Sequence, residues 1–108
     1  MTGLLKNGVP VRSRIHIKQK FMNDLSRESG ERLRTMIAHA ISRGKSIEID
    51  FEDLLIENSD FLDEGIAKLY SRFAKKRITS YVRLIGMVPQ NCHTLKDLIE
   101  ERATSFEA

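Results

Sequence analysis

The chain has one cysteine, Cys92, two prolines, no tryptophan and no glycine-rich run, and each shortage removes a class of protein. A single cysteine cannot close an internal disulfide, so the fold is not a disulfide framework and suits a reducing compartment. Cys92-His93 has no second Cys or His at ligand spacing, and His16 and His39 stand alone, so no metal site is expected. No apolar run approaches the roughly 18 residues that cross a bilayer. The opening Met-Thr-Gly-Leu-Leu-Lys is too short and too soon charged for a secretory leader. A cytoplasmic location away from membranes is the expectation. The glycines, at 3, 8, 30, 44, 65 and 86, build no phosphate-cradling loop, and neither Gly-x-Ser-x-Gly nor a Ser/His/Asp framework occurs. Neither an enzyme nor a cofactor is expected.

What is present fits one globular domain over residues 1–108. Hydrophobic residues make up 41% and charged residues 31% of the 108, enough apolar material for a single modest core. The net charge of +3 is unevenly spread. Residues 1–50 hold ten Lys/Arg against five Asp/Glu, and residues 51–108 hold eight against ten.

Apolar spacing divides the chain into elements. Asn7-Gly8 between short apolar stretches is a hairpin-turn signal, with Pro10 limiting the second arm to an edge. Ile15-His16-Ile17-Lys18 alternates as a half-buried strand does. Ser26 or Ser29 can cap a helix over about 26–43, whose Leu33, Met36, Ile37, Ala40 and Ile41 form one stripe and which Gly44 ends. Ser46–Phe51 alternates β-branched residues with acids and is the clearest strand. Leu62, Ile66, Leu69, Tyr70 and Phe73 predict a second helix over about 59–75, with acids in its first turn and Lys75, Lys76 and Arg77 in its last. Thr79–Met87 reads as a further strand. Thr94 with Asp97 resembles a capping box opening a last helix that carries Leu95, Leu98 and Ile99.

Strands alternating with helices imply an α/β fold with parallel neighbours joined by right-handed crossovers. Because the strands alternate apolar with polar residues, helices should cover only one sheet face. The expectation is a two-layer sandwich: a mixed, mostly parallel sheet of about four strands with helices on one face.

Ligands and partners of open α/β sheets gather beyond the carboxyl ends of the strands. Here that position is Asp50-Phe51, the loop to Asn58, and the helix start Ser59-Asp60-Phe61-Leu62-Asp63-Glu64-Gly65. Asp63-Glu64 invites a general acid/base reading, since paired carboxylates push their pKa values apart. Adjacent helical residues nevertheless point about 100° apart, and no nucleophile or oxyanion donor stands at a recognisable spacing. Acids of a helix first turn are the simpler account, as is Ser59 or Asn58 acting as an N-cap.

These residues resemble the STAS fold, named for sulfate transporters and anti-sigma factor antagonists. In that fold a strand ends in Asp, and an Asp-Ser-Ser/Thr-Gly tip opens the next helix. Ile-Asp-Phe-Glu followed by Ser-Asp-Phe-Leu-Asp-Glu-Gly is more closely similar to bacterial and phage STAS-like domains of uncharacterised function. Arg27, Glu28, Arg32 and Leu33 of the preceding helix extend the likeness, which covers about residues 13–75. The resemblance implies a protein-binding regulatory or signalling module. Antagonist-type STAS domains bind a histidine-kinase-like ATPase, which phosphorylates a hydroxyl at the helix tip and so releases the complex. Ser59 carries over by position as that hydroxyl, and Asp50, Asn58, Asp60, Asp63 and Glu64 complete the partner-binding set. The sequence departs from the pattern with Asn58 for Asp, Asp60 for the second Ser/Thr and Phe61 for Gly. Asp60, Asp63 and Glu64 would repel a phosphate that the helix start otherwise favours.

The alternative is a basic nucleic-acid-binding accessory or regulatory protein. Arg12, Arg14, Lys18 and Lys20 could line the uncovered sheet face, with Lys75, Lys76 and Arg77 at a helix end. The few aromatics fall mostly on core stripes and offer no stacking platform. An exposed sheet edge also offers a route to a homodimer.

Overall fold

The computed structural model describes residues 11–107 of the chain. The Asn7-Gly8 turn lies outside them. The described elements run β1 (Val11–His16), α1 (Ile17–Phe21), α2 (Arg27–Ser42), β2 (Ser46–Asp50), α3 (Ser59–Gly65), a 3-10 segment (Ala67–Ser71), α4 (Lys75–Tyr81), β3 (Val82–Ile85) and α5 (Pro89–Glu107). The described strands number three, in the order β1-β2-β3, and both pairings are parallel.

Alternation along the strands sorts the two sheet faces. Ile15 is in register with Ile49 and Ile49 with Leu84, while Ile47 faces Val82. These residues belong to one core cluster with Leu33, Ile37 and Ile41 of α2, Leu62 of α3 and Ile78 of α4. The opposite face carries Arg14, Glu48 and Arg83 in a single row across the sheet. Glu48 is buried beneath these two cations: its Oε1 is in ion-pair contact with Arg14, without hydrogen-bond angles, and its Oε2 lies 3.8 Å from Arg83 Nε. The result is a two-layer α/β arrangement, with apolar strand positions turned toward the helices.

Helix α2 follows its sequence signals. Ser26 Oγ accepts a hydrogen bond from Ser29 N at 3.3 Å, and Gly44, at φ +66°, ends the helix. Gly44 N donates to Ile41 O and Lys45 N to Ala40 O, the paired bonds of a Schellman cap. Helices α2 and α3 approach so closely at Gly30 and Gly65 that a Cβ on Gly30 would stand 2.9 Å from the Phe61 carbonyl oxygen. Phe61 in turn meets Phe21 of α1 edge to face, with ring centroids 5.6 Å apart.

Four expectations change. The first strand stops at His16, and Ile17 turns into α1 to bury its side chain, which takes Lys18 and Lys20 off the sheet. The helix expected over 59–75 divides into α3, the 3-10 segment and α4, with Ala74 extended between the last two. Lys75, Lys76 and Arg77 therefore open α4 instead of closing a long helix. The chain must travel back to the start of β3, and α4 packs on β2 and β3 as it does so. Thr79–Tyr81 are correspondingly helical, with the Thr79 and Ser80 hydroxyls donating to the Lys76 carbonyl. Finally, α5 begins at Pro89, a residue suited to a first helical position, and Thr94 lies within it, donating to Gln90 O.

Candidate functional site at the sheet rim

Parallel pairing brings the carboxyl ends of β1, β2 and β3 to one rim, at His16, Asp50 and Ile85. After Asp50 the chain makes a tight turn in which Leu54 N donates to Phe51 O at 2.9 Å. Its central residues, Glu52 and Asp53, have φ of 52° and 57°. Two consecutive left-handed residues match a type I′ turn, which ordinarily takes Asn or Gly there. Such conformations cost on the order of 1–3 kcal/mol each and persist where surrounding contacts fix them.

Those contacts are visible. Asp50 Oδ1 accepts from Glu52 N at 2.9 Å, Phe51 N donates to Ile85 O at 2.9 Å, and Asp53 N donates to Gly86 O at 2.7 Å. Gly86, at φ +66°, leaves room for this: a Cβ there would stand 2.9 Å from Asp50 Oδ1 and 3.0 Å from Glu52 N. His16 Nδ1 sits 3.6 Å from Asp50 Oδ2 and 3.9 Å from Glu52 Oε1. Asp50 is thus a turn-shaping residue, its carboxylate facing backbone N–H and imidazole.

Beyond the turn, Leu55 is 45% exposed, whereas Ile56 is buried. Ile56 N donates to Asn91 Oδ1 at 2.7 Å, and Asn91 Nδ2 donates to Ile56 O at 2.8 Å. The buried side-chain amide of α5 imitates a strand partner and pins the loop at its midpoint.

Asn58 caps α3: its Oδ1 accepts from Asp60 N at 3.0 Å, and its Nδ2 donates to Leu25 O at 3.2 Å. Ser59 follows as an exposed first helical residue. Asp60 is exposed and lies 3.4 Å from Arg27 Nη2. Asn58, Ser59 and Asp60 therefore stand together on the surface.

Asp63 and Glu64 point elsewhere. Asp63 receives two hydrogen bonds from Arg102 of α5, at 3.1 and 2.7 Å. Glu64 is 2% exposed and gathers Lys68 Nζ at 2.6 Å, Arg34 Nη1 at 2.9 Å and Arg27 Nη1 at 3.3 Å. Its pKa is held below the ordinary value, chiefly by the hydrogen bond from Lys68; burial opposes this, and Arg34 adds to the lowering. In the sixth position of α3, Glu64 ties three segments together from inside and is no part of an exposed rim. An acid in a helix's opening stretch looks like dipole complementation in the sequence; only the crossing with α2 turns it inward.

Sequence reading missed His16, Leu55, Gly86 and Asn91. Gly86 after an apolar run was a legible turn signal, whereas the partner of Asn91 lies 35 residues away. Among the described residues no group of three His, Cys, Asp or Glu side chains could hold a metal ion, and no helix is long and apolar enough to cross a membrane.

A family model described as a STAS-like domain of unknown function matches residues 29–91, which include most of α2 and all of β2, the rim turn, α3, α4 and β3. No curated protein and no solved structure matches the chain.

Proposed function

Since the chain belongs to the family of STAS-like domains of unknown function, we propose that it is a non-enzymatic regulatory module that docks a protein partner through the rim segment 52–60. The observation that carries this reading is the turn itself. Glu52 and Asp53 are held in a costly left-handed conformation at the exposed rim by contacts from Asp50 and Gly86, and Leu55 is left exposed beyond them. Strain kept at an exposed rim is characteristic of binding surfaces. Glu52, Asp53, Glu57 and Asp60 surround Leu55 in sequence, so a partner needs an apolar pocket with a basic border. A histidine-kinase-like ATPase is the partner class that the STAS resemblance favours. Ser59, exposed beside Asp60, is the hydroxyl such a partner would phosphorylate.

Calorimetric titration of the chain with a histidine-kinase-like ATPase of the kind that binds antagonist-type STAS domains tests the reading. Leu55→Asp and Glu57→Lys should each weaken binding by about tenfold or more, equivalent to about 1.4 kcal/mol, with unchanged urea midpoints. Intact mass after incubation with ATP should show one phosphoryl group, absent from Ser59→Ala. Equal binding by native and both variant chains would remove the rim from the interface; an unchanged mass with an active kinase would remove the switch.

A further inference from the structure

A second charged surface lies away from the rim. No Asp or Glu occurs between Arg32 and Ile47, nor between Gly65 and Lys96. The fold brings these two acid-free stretches together. Arg34, Thr35, Ala38, His39 and Ser42 of α2 line one open pocket of about 270 Å³ with Arg72, which follows the 3-10 segment. Arg72 and Arg77 both lie over the Phe73 ring, at 5.3 and 5.4 Å from its centroid. Arg77 also donates to the Ile41 carbonyl at 3.4 Å, which holds the start of α4 against the end of α2. On the other side of His39, a neighbouring groove continues to Arg43 and Lys45.

Among the described residues, none of Arg43, Lys45, Arg72, Lys75, Lys76 and Arg77 is in an ion pair, although six other lysines and arginines are, Arg34 of the pocket among them. Lys75, Lys76 and Arg77 moreover occupy the first turn of α4, which has no acid and no side-chain cap. Positive charge is disfavoured at that end of a helix, so folding does not account for these cations.

We propose that this surface, from the α2 pocket to the start of α4, binds the phosphate backbone of a nucleic acid. The pocket offers hydroxyls from Thr35 and Ser42, guanidinium groups from Arg34 and Arg72 and the His39 imidazole, a set suited to the several oxygens of a tetrahedral phosphate. Arg34 commits Nη1 to Glu64, which fixes its guanidinium plane. The remaining cations extend beyond the pocket, as a repeating anion requires and a single free phosphate does not. Phe73 is buried and the exposed large apolar side chains, Met22 and Leu55, are elsewhere, so binding rests on the backbone and is indifferent to base sequence. Of the cations expected from sequence, Lys75, Lys76 and Arg77 belong to this surface, whereas Arg14 is held by Glu48, and Lys18 and Lys20 lie on α1. The surface is independent of the rim-docking reading.

Fluorescence anisotropy of the full chain with a labelled single-stranded oligonucleotide tests the proposal. With about four phosphates neutralised, affinity for a single strand should fall about fiftyfold between about 50 and about 200 mM salt. Lys75→Gln with Lys76→Gln, and separately Arg43→Gln with Lys45→Gln, should each flatten the salt dependence by about two phosphates' worth. Lys18→Gln, an exposed cation on α1, should leave it unchanged. Polyglutamate of similar length is the comparison arm. No binding of the oligonucleotide, equal binding of polyglutamate, or a salt slope that survives all four substitutions would overturn the proposal.

Discussion

Asn91 and Glu64 show how single buried polar residues set the geometry around them. The Asn91 amide satisfies both backbone groups of Ile56, and its own exposure is 2%. Asn91→Leu leaves a buried N–H and C=O unpaired and should cost about 2–4 kcal/mol, read as a lower urea midpoint. Asn91→Asp keeps the shape but sets an acceptor against the Ile56 carbonyl, so it should cost as much at neutral pH. Glu64 carries a pH signature. Its pKa is lowered in the folded chain, chiefly by Lys68, so its contribution is present above the unfolded-state value and is lost as pH falls through the folded one. Native stability should therefore fall as pH is lowered below the ordinary carboxylate value of 4.5. Glu64→Gln should be less stable at neutral pH and show a smaller acid drop in the same urea series. Parallel pH curves for the two chains would refute the assignment.

At the scale of elements, the α2–α3 crossing depends on two glycines without side chains to separate the backbones. A Cβ on Gly30 meets the Phe61 carbonyl oxygen at 2.9 Å, and backbone cannot yield as a side chain can. Gly65 is less tightly confronted: a Cβ there meets Leu33 Cδ2, the end of a side chain, at 3.0 Å, and backbone only at 3.3 Å, the Gly30 carbonyl oxygen. Gly30→Ala should therefore destabilise by about 1–3 kcal/mol and Gly65→Ala by less, both measured by chemical denaturation. A larger loss at Gly65 would show that the Leu33 end of the crossing is the rigid one. The crossing also explains why Glu64 is inaccessible, since it lies one residue before Gly65 and faces Arg34 of α2.

At the scale of the molecule, charge is polarised. Acids cluster at the strand-end rim, and unpaired cations gather where α2 ends and α4 begins. Helix α5 completes the body by packing on the 3-10 segment and α3, with Leu95 buried and Arg102 clamping Asp63. A chain ending at Asn91 loses both and should unfold at a clearly lower urea concentration, with a broader transition; an unchanged midpoint would show α5 to be dispensable. The sequence by itself determined α2, from its cap, apolar stripe and Gly44, and determined β2 from alternation. It also narrowed the α3 cap to Asn58 or Ser59, because each of these signals acts within a few residues. Only tertiary structure decided the rest. The apolar spacing over 59–75 suits one long helix, yet the return to β3 divides it, and Asp63 and Glu64 look like surface acids until α5 and α2 supply their cations. Local pattern fixes which faces must be buried, whereas the partners of a buried polar group come from distant segments and exist only once the chain has folded.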